Sequence, residues 1–340
     1  MTDVEAQNRH TRWRKRPSPS TWGDFGADDQ RGRLNLITPE RRLAALQEAR
    51  VGKSFCLSLP LDYPGGRALS PFRKPPELRA EVMADGQPVF NAGAGASQSD
   101  ATDLFCDQSV RLSLQYSTHW DGLAHVGARF DANADGEAEC VYYNGFPAQD
   151  THDDGVLRLG VETMAETCVQ GRGVMIDLVP HFGGTAHPVG YDDLMRVVEH
   201  DGVIVGEGDI VCFRTGFADL LLKMRRQPDR NRLFSETPAL DGRDERLLQW
   251  ITDIGLAAIV ADNYAVETLP SRPGHQACSP NLPLHQHCLF QLGVPLGELW
   301  HLGDLADWLC AHGRNSFLLT APPLRLTGAV ASPTTPVATV

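Results

Sequence analysis

Two histidines and an aspartate lie within seven residues of the segment QYSTHWDGLAH, which spans positions 115–125. In an extended strand, His119 and Asp121 share one face, because side chains alternate across a strand. Their Cα atoms would be about 7 Å apart. From that separation an imidazole nitrogen and a carboxylate oxygen can both reach one divalent cation at about 2.0–2.2 Å. The pattern therefore favours a metal site at His119 and Asp121.

Two further polar residues flank this pair. On a straight strand Gln115 would lie about 13 Å from His119, so it joins the same site only if the chain bends near Ser117. Gly122 permits a sharp turn, which would bring His125 back over the site as a general base. The competing interpretation is a structural His–Asp hydrogen bond beside a surface histidine. Titratable groups cluster at functional sites, which favours the metal site.

A second group of candidate ligands lies in NLPLHQHCLFQLGVPLGEL, residues 281–299. On a helix, His285 and His287 point about 200° apart, so we expect only one of them to face a site. Glu298 follows the apolar GVPLG and could be carried inward by a short strand. Taken alone, this segment fits a surface helix and a surface glutamate better than a metal site.

The bulk properties exclude several classes of protein. The chain has 340 residues and a formal net charge of −12, which allows a large core but argues against nucleic-acid binding. No apolar run reaches the roughly 18 residues of a membrane span, and the N-terminus has no apolar signal-peptide region. The eight cysteines are scattered without a CxxC pair, as in a protein with reduced thiols. We predict a cytoplasmic protein that acts on a small molecule.

Strand-like and helix-like segments alternate along the chain, which indicates an α/β fold. We predict a disordered tail over residues 1–21 and a single domain over 22–340. Residues 62–100 are rich in Gly, Pro and Ala with little periodicity, so we interpret them as a flap or an arm that contacts another subunit. The predicted strands are 55–61, 110–119, 173–180, 209–216, 257–262 and 316–323, and the predicted helices are 39–52, 161–168, 191–200, 217–226, 244–254 and 303–312.

The segment at 115–125 resembles the signature His-x-Gly-Thr-His-x-Asp-x-Pro-x-His of the cyclase superfamily, which includes bacterial kynurenine formamidase and isatin hydrolase. Thr118, His119, Asp121 and His125 match that signature. The family's second block, a histidine before an apolar helix and then Gly-Ile-Pro-Ile-x-Glu, resembles the segment from His285 to GVPLGE. The likeness covers roughly residues 20–337 and is strongest to the longer members, whose substrates are unassigned as a group.

The resemblance implies a fold, a metal and a set of site residues. The fold would be a swivelling β/β/α domain with a mixed sheet and flanking helices, in a homodimer or homotetramer. The metal would be Mn²⁺ or Zn²⁺, and His125 would be the catalytic base or acid. The implied metal ligands are His119, Asp121, His285 and Glu298, with Gln115 in the place of the family's first ligand histidine.

Two departures from the signature concern the metal. An amide oxygen from Gln115 is a weaker and harder ligand than imidazole, which lowers the expected affinity for zinc and favours manganese. Ser117 replaces the signature glycine. The glycine would help the chain bend towards position 115, and the serine removes that help. Together these departures leave one metal, two metals or a degenerate site open.

The resulting hypothesis is an arylformamidase-like metal-dependent hydrolase of an amide, cyclic amide or lactone bond. Trp22 and Trp120 are candidates to line a pocket for a planar substrate, and Arg214 is a candidate to bind a substrate carboxylate. A structural salt bridge explains Arg214 equally well. The alternatives are a non-catalytic binding protein with a degenerate site and a ring-closing cyclase that runs the reaction in the dehydrating direction.

Overall fold

A computed structural model describes residues 12–93, 102–274 and 279–340. A nine-stranded sheet forms the centre of the molecule. In chain order its strands are β1 (Ser54–Cys56), β2 (His119–Asp121), β3 (Gln170–Asp177), β4 (Ile210–Arg214), β5 (Ala258–Ala261), β6 (Leu296–Glu298), β7 (Ser316–Thr320), β8 (Ala331–Pro333) and β9 (Val337–Thr339).

The strand order across the sheet is β1-β9-β7-β3-β4-β5-β6-β2-β8. The four strands β3, β4, β5 and β6 run parallel to one another. The remaining pairs are antiparallel. The parallel strands carry apolar runs that are buried on both faces, such as AIVA in β5, which is typical of a parallel sheet covered by helices. The α/β class with a mixed sheet is thus confirmed.

Helices cover the sheet and join its strands. The first long helix is capped at Thr38, whose hydroxyl accepts a hydrogen bond from the backbone N–H of Arg41, with Pro39 in the first turn. Within the described residues, no helix has the length and apolar character needed to cross a bilayer. The α-helices are α1 (Pro39–Leu46), α2 (Glu162–Glu166), α3 (Val179–Phe182), α4 (Tyr191–His200), α5 (Phe217–Lys223), α6 (Arg230–Ser235), α7 (Glu245–Ile254), α8 (Pro283–His285) and α9 (Gly303–Ala311), and α8 continues as a π-helix over Gln286–Leu292.

Smaller elements lie outside the main sheet. Five two-stranded ribbons pair Glu77–Ala80 with Gln108–Arg111, Ala92–Gly93 with Leu104–Phe105, Ala128–Phe130 with Glu139–Val141, Thr151–His152 with Gly155–Val156, and Pro188–Val189 with Ala239–Leu240. Short 3₁₀ helices span Gly32–Leu36, Tyr143–Gly145 and Ala148–Asp150.

The two faces of the sheet pack into two separate apolar cores. Val211 and Phe213 of β4 belong to one core, together with Leu296 of β6. Ile210 and Cys212, which alternate with them, belong to the other core, which also includes residues of α9. We call these the first and the second core.

Two predictions from the sequence need correction. The predicted strand 110–119 does not exist as one element, because a turn after Arg111 separates the exposed ribbon strand from β2. The predicted tail does not hold for residues 12–21, since the Trp13 ring packs 6.1 Å from that of Trp22 and the N–H of Arg14 donates to Ala132 at 2.7 Å. Residues 1–11 lie outside the described part of the chain.

Candidate metal centre

Strand pairing brings His119 and Glu298 together. The two residues are direct partners in the antiparallel β2–β6 pair, so their side chains share a face of the sheet. Nε2 of His119 lies 3.6 Å from Oε2 of Glu298. Nδ1 of His119 lies 2.6 Å from the carbonyl oxygen of Ser117. Because Nδ1 must donate its proton to that carbonyl, the lone pair of Nε2 points into the site.

Asp121 completes a compact donor set with this pair. Its Oδ1 lies 3.6 Å from Nε2 of His119. The ligand atoms of His119, Asp121 and Glu298 all lie within 4.8 Å of one another, and all three residues are buried. Within the described residues, Nε2 of His119 and Oδ2 of Asp121 are buried without any hydrogen-bond partner. Such orphaned groups are costly, and a divalent cation would satisfy both, so the donor set fits a metal.

His285 approaches the same set from α8. Its Nε2 lies 3.1 Å from Oε1 of Glu298 and 4.0 Å from Oδ2 of Asp121. His287 points elsewhere and contacts Gln291 and Thr252. The structure therefore places one of the two histidines at the site, as their helical spacing suggests.

Gln115 reaches the site because the chain bends. The N–H of Tyr116 donates to Ser113 at 3.0 Å, which closes a turn just before β2. The side-chain nitrogen of Gln115 donates to Oδ1 of Asp121 and lies 3.2 Å from both ring nitrogens of His125. In this orientation the amide nitrogen faces the carboxylate. A metal-ligand role would require the oxygen there, after a 180° rotation of the amide.

His125 lies at the outer side of the centre. The backbone N–H of His125 donates to the carbonyl oxygen of Gly122 at 3.0 Å. The ring nitrogen Nε2 lies 3.7 Å from Oδ1 of Asp121. Its side chain is 24% exposed, whereas those of His119 and His285 are at most 2% exposed. A side chain at position 122 would also meet the backbone of Val330 at 3.0 Å, so the glycine is needed for close approach to β8.

Burial and charge act on each titratable group of the centre. Burial alone raises the pKa of Asp121, but the nearby imidazoles outweigh it and hold that pKa well below its ordinary value. Burial lowers the pKa of His125, and Asp121 opposes this only in part. Burial would also lower the pKa of His285, but hydrogen bonds to two carboxylates raise it to about 10. A cation would compete with the proton on Nε2 of His285.

The three predicted substrate-binding residues do not face this centre. Trp22 is fully buried, and its ring lies 5.1 Å from Phe290 in the first core. Trp120 is fully buried in the second core against Trp300, on the opposite face from His119. Neither ring has exposed surface to offer a substrate. The side-chain alternation of β2 already implies this for position 120.

Arg214 has a structural environment. It alternates with Phe213 at the end of β4 and lies on the face of the second core. Its guanidinium forms ion pairs with three carboxylates, those of Asp177, Asp219 and Asp307, at 2.8–3.0 Å. These contacts agree with the salt-bridge interpretation, and Arg214 lies on the opposite face of the sheet from the candidate ligands.

Two residues near the centre were not among the candidates that the sequence motifs indicate. Glu267, 1% exposed, lies in a loop and binds Nδ1 of His285. Arg73 donates to the carbonyl oxygen of Gln115 at 2.7 Å, and its charge contributes to the lowered pKa of His125. Neither residue lies in a recognisable motif, since both belong to loops that reach the centre through the tertiary fold.

Comparisons with known proteins identify the family. The family model Cyclase, described as "Putative cyclase", matches residues 56–268. A crystal structure described as that of a novel cyclase is 31% identical and covers 94% of this chain and 97% of that chain, with a TM-score of 0.74. This chain belongs to the cyclase family. Its recognition from the motif around His119 is thereby confirmed.

More distant structures share the fold of this chain. Isatin hydrolase A from Ralstonia solanacearum is 15% identical, with a TM-score of 0.53 over 88% of this chain and 97% of that chain. An isatin hydrolase bound to the product analogue thioisatinate is 14% identical, with a TM-score of 0.56 over 89% of this chain and 99% of that chain. A comparison with curated proteins returns no match.

Proposed function

We propose that this member of the cyclase family is a metal-dependent hydrolase of an amide, cyclic amide or lactone bond. The observation that carries the proposal is the pair of orphaned, buried donor atoms, Nε2 of His119 and Oδ2 of Asp121, beside Glu298. A core without a cation would leave both atoms desolvated and unpaired. The fold shared with isatin hydrolases adds support, since those proteins are hydrolases by name.

The ligands of the ion would be His119, Asp121 and Glu298, with His285 as a further nitrogen donor. This set of imidazoles and carboxylates suits Mn²⁺ or Zn²⁺. When bound, such an ion lowers the pKa of water and polarises a carbonyl oxygen. Gln115 is the family's altered position, and its amide oxygen is a candidate weak ligand.

His125 has the position and protonation state of a general base. Its partial exposure lets it exchange protons with solvent, and its lowered pKa keeps it neutral at pH 7. In hydrolysis, a water oxygen adds to the carbonyl carbon, the C–N or C–O bond breaks, and one water proton must move to the leaving atom. We assign that transfer to His125, which accepts the proton and then donates it. Gln115, 3.2 Å away, holds the imidazole in place.

Arg73 is the proposed substrate anchor. Its guanidinium donates to the carbonyl oxygen of Gln115 and also lies 5.3 Å from the ring centroid of Tyr264, a residue that lines an aromatic cavity. Tyr264, Phe217 and Phe234 line that cavity of about 160 Å³. We infer a substrate with a planar apolar part in the cavity and a carbonyl or carboxylate oxygen at Arg73.

One observation favours a second candidate function. The amide nitrogen of Gln115 faces Asp121 and donates to it, so Gln115 occupies part of the ligand sphere without offering an acceptor to a cation. A binding protein with a degenerate metal site would have this arrangement. A ring-closing cyclase would use the same groups in the reverse direction.

Metal analysis combined with an activity panel tests the proposal. Metal-free protein would be loaded with Mn²⁺ or Zn²⁺ and assayed on aryl formamides, cyclic imides and lactones. We expect hydrolysis of at least one class and tightly bound metal. In Asp121→Asn, which keeps the shape of the side chain, we expect loss of the activity together with one metal equivalent. Asp253→Asn, a change on α7 away from the centre, serves as the matched control.

Three outcomes would count against the hydrolase. An unchanged number of tight metal equivalents in Asp121→Asn, relative to the wild type, would overturn the ligand assignment. A stoichiometrically loaded protein that is inactive across the whole panel would instead favour the binding protein. Ring closure of the open-chain products under dehydrating conditions, without net hydrolysis, would identify a cyclase.

A further inference from the structure

A second group of side chains with the chemistry of metal ligands lies beside β3, four positions from β2 in the sheet order. His181, on α3, and the consecutive residues His200 and Asp201, at the end of α4, place their ligand atoms within 4.8 Å of one another. Nε2 of His181 lies 3.0 Å from Oδ2 of Asp201, and Nδ1 of His200 lies 2.7 Å from Oδ1. The two imidazole rings stand nearly perpendicular, with centroids 5.2 Å apart.

The surroundings leave room for an ion. The three residues line a cavity of about 510 Å³, whose lining also includes Cys310 of α9. Within the described residues, these contacts with Asp201 are the side-chain hydrogen bonds of His181 and His200. When the nitrogens that face Asp201 bind an ion, Nδ1 of His181 and Nε2 of His200 can carry the ring protons. The backbone of Asp201 is held by Asn315, whose amide donates to its carbonyl oxygen at 3.0 Å.

We propose that His181, His200 and Asp201 form a second, independent site for a first-row transition-metal ion, with Zn²⁺ as the expected occupant. Two imidazole nitrogens and one carboxylate are typical zinc ligands, and a water from the cavity completes the coordination. This donor set disfavours Mg²⁺ and Ca²⁺, which prefer oxygen ligands. The contacts of 3.0 and 2.7 Å are hydrogen bonds from the two imidazoles to the carboxylate. An ion would replace the shared protons, and only small shifts are needed because the three ligand atoms already lie within 4.8 Å of one another.

The second site is separate from the His119 centre. Its cavity is also lined by Met175, Ala306 and Leu309, which belong to the second core, whereas Leu296 beside the His119 centre belongs to the first. An ion here would tie the short helix α3 to the end of α4. Its expected effect is therefore on stability and total metal content, whatever reaction the other centre performs.

Zinc titration of two protein backgrounds tests this proposal. In Asp121→Asn, where binding at the His119 centre is impaired, equilibrium dialysis should still find a single tight Zn²⁺ equivalent, and its binding should raise Tm. Adding His200→Ala, a substitution of a 76% exposed side chain, should weaken that binding at least tenfold. His181→Ala should do the same.

His187→Ala is the matched control. His187 pairs with Asp193 at 2.7 Å. Within the described residues it belongs neither to the His119 centre nor to the proposed second site, so its loss should leave the zinc affinity unchanged. A Co²⁺-loaded Asp121→Asn protein should show visible d–d absorption that His200→Ala abolishes. Absence of a tight Zn²⁺ equivalent in Asp121→Asn, or equal affinity after His200→Ala, would overturn the proposal without bearing on the hydrolase.

Discussion

Glu267 holds His285 in a single orientation. Oε1 of Glu267 lies 2.8 Å from Nδ1 of His285, and the carboxylate also accepts the backbone N–H groups of Leu284 and His285. Both side chains are at most 2% exposed. Because Nδ1 carries the proton towards Glu267, Nε2 is the nitrogen left for a cation beside Glu298. This carboxylate–histidine pair is the usual support of a metal-binding imidazole.

Glu267→Gln should weaken metal binding although Glu267 is not a ligand. The amide keeps the shape but loses the charge that orients and polarises His285, so we expect a loss of metal affinity of about 10–100-fold. Competition with a chelator would measure it. Glu245→Gln, on the exposed start of α7, is the control, and an unchanged affinity in Glu267→Gln would contradict the assigned role.

The rate of hydrolysis should depend on the ionisation of His125. Only the neutral imidazole accepts a proton, and its pKa is lowered in the folded protein. The rate should therefore be flat around pH 7 and fall in acid, with a midpoint below the ordinary histidine value of about 6.5. A kcat–pH profile of metal-loaded enzyme measures this, and a midpoint above 6.5 would contradict it.

His125→Gln separates catalysis from metal binding. We expect kcat to drop by about 10²–10⁴-fold, the usual contribution of a general base, while the bound metal stays stoichiometric. The exposed His152, in an outer ribbon, provides the control variant His152→Gln. If His125→Gln instead lost its metal, His125 would be a ligand rather than the base.

Gln115→His should change the metal preference. Imidazole is a softer and stronger donor than an amide oxygen, so the affinity for Zn²⁺ should rise more than that for Mn²⁺. Gln115→Ala is the matched comparison, because it removes the side chain without adding a donor. Competition between the two ions, followed by metal analysis, would reveal the shift. No difference between the two variants would show that position 115 does not reach the ion.

Substitution of Arg73 should affect substrate binding. A charge-assisted hydrogen bond contributes about 1.5–3 kcal/mol, so Arg73→Ala should raise KM for a carboxylate-bearing substrate about tenfold or more, and Arg73→Lys should raise it less. The neighbouring Lys74, which is exposed, gives the control Lys74→Ala. An unchanged KM with a reduced metal content would assign Arg73 to the support of Gln115 instead.

The ribbon of Glu77–Ala80 and Gln108–Arg111 is our candidate for a subunit contact. Leu78 and Val110 face each other across the two strands and are 69% and 48% exposed, and Phe72 nearby is 88% exposed. Exposed apolar clusters of this kind are typical of protein interfaces. We propose a homo-oligomer through this arm. Leu78→Ser/Val110→Ser should lower the mass measured by light scattering, and a wild-type monomer would contradict the proposal.

Local patterns in the chain were enough for the family and for six of the α-helices in the described residues, namely α1, α2, α4, α5, α7 and α9. The 3.6-residue spacing of apolar residues predicts α4 at 191–200, as observed, and the spacing of His119 and Asp121 on β2 predicts two donors on one face. These features depend on neighbours in sequence, where alternation and helical periodicity operate. The turn between Ser113 and Tyr116 was anticipated only as a requirement for Gln115 to reach the site.

Long-range packing supplied the rest of the centre. Glu298 meets His119 because β6 pairs with β2 in one register, and a shift by one residue would turn its carboxylate to the other face. Glu267 and Arg73 reach the centre from loops that carry no motif. Trp22 and Arg214 were candidates for substrate binding, but Trp22 packs in the core and Arg214 forms ion pairs. Contacts between residues far apart in sequence have no local periodicity, so the folded chain alone assigns each of these side chains to the site or to the core.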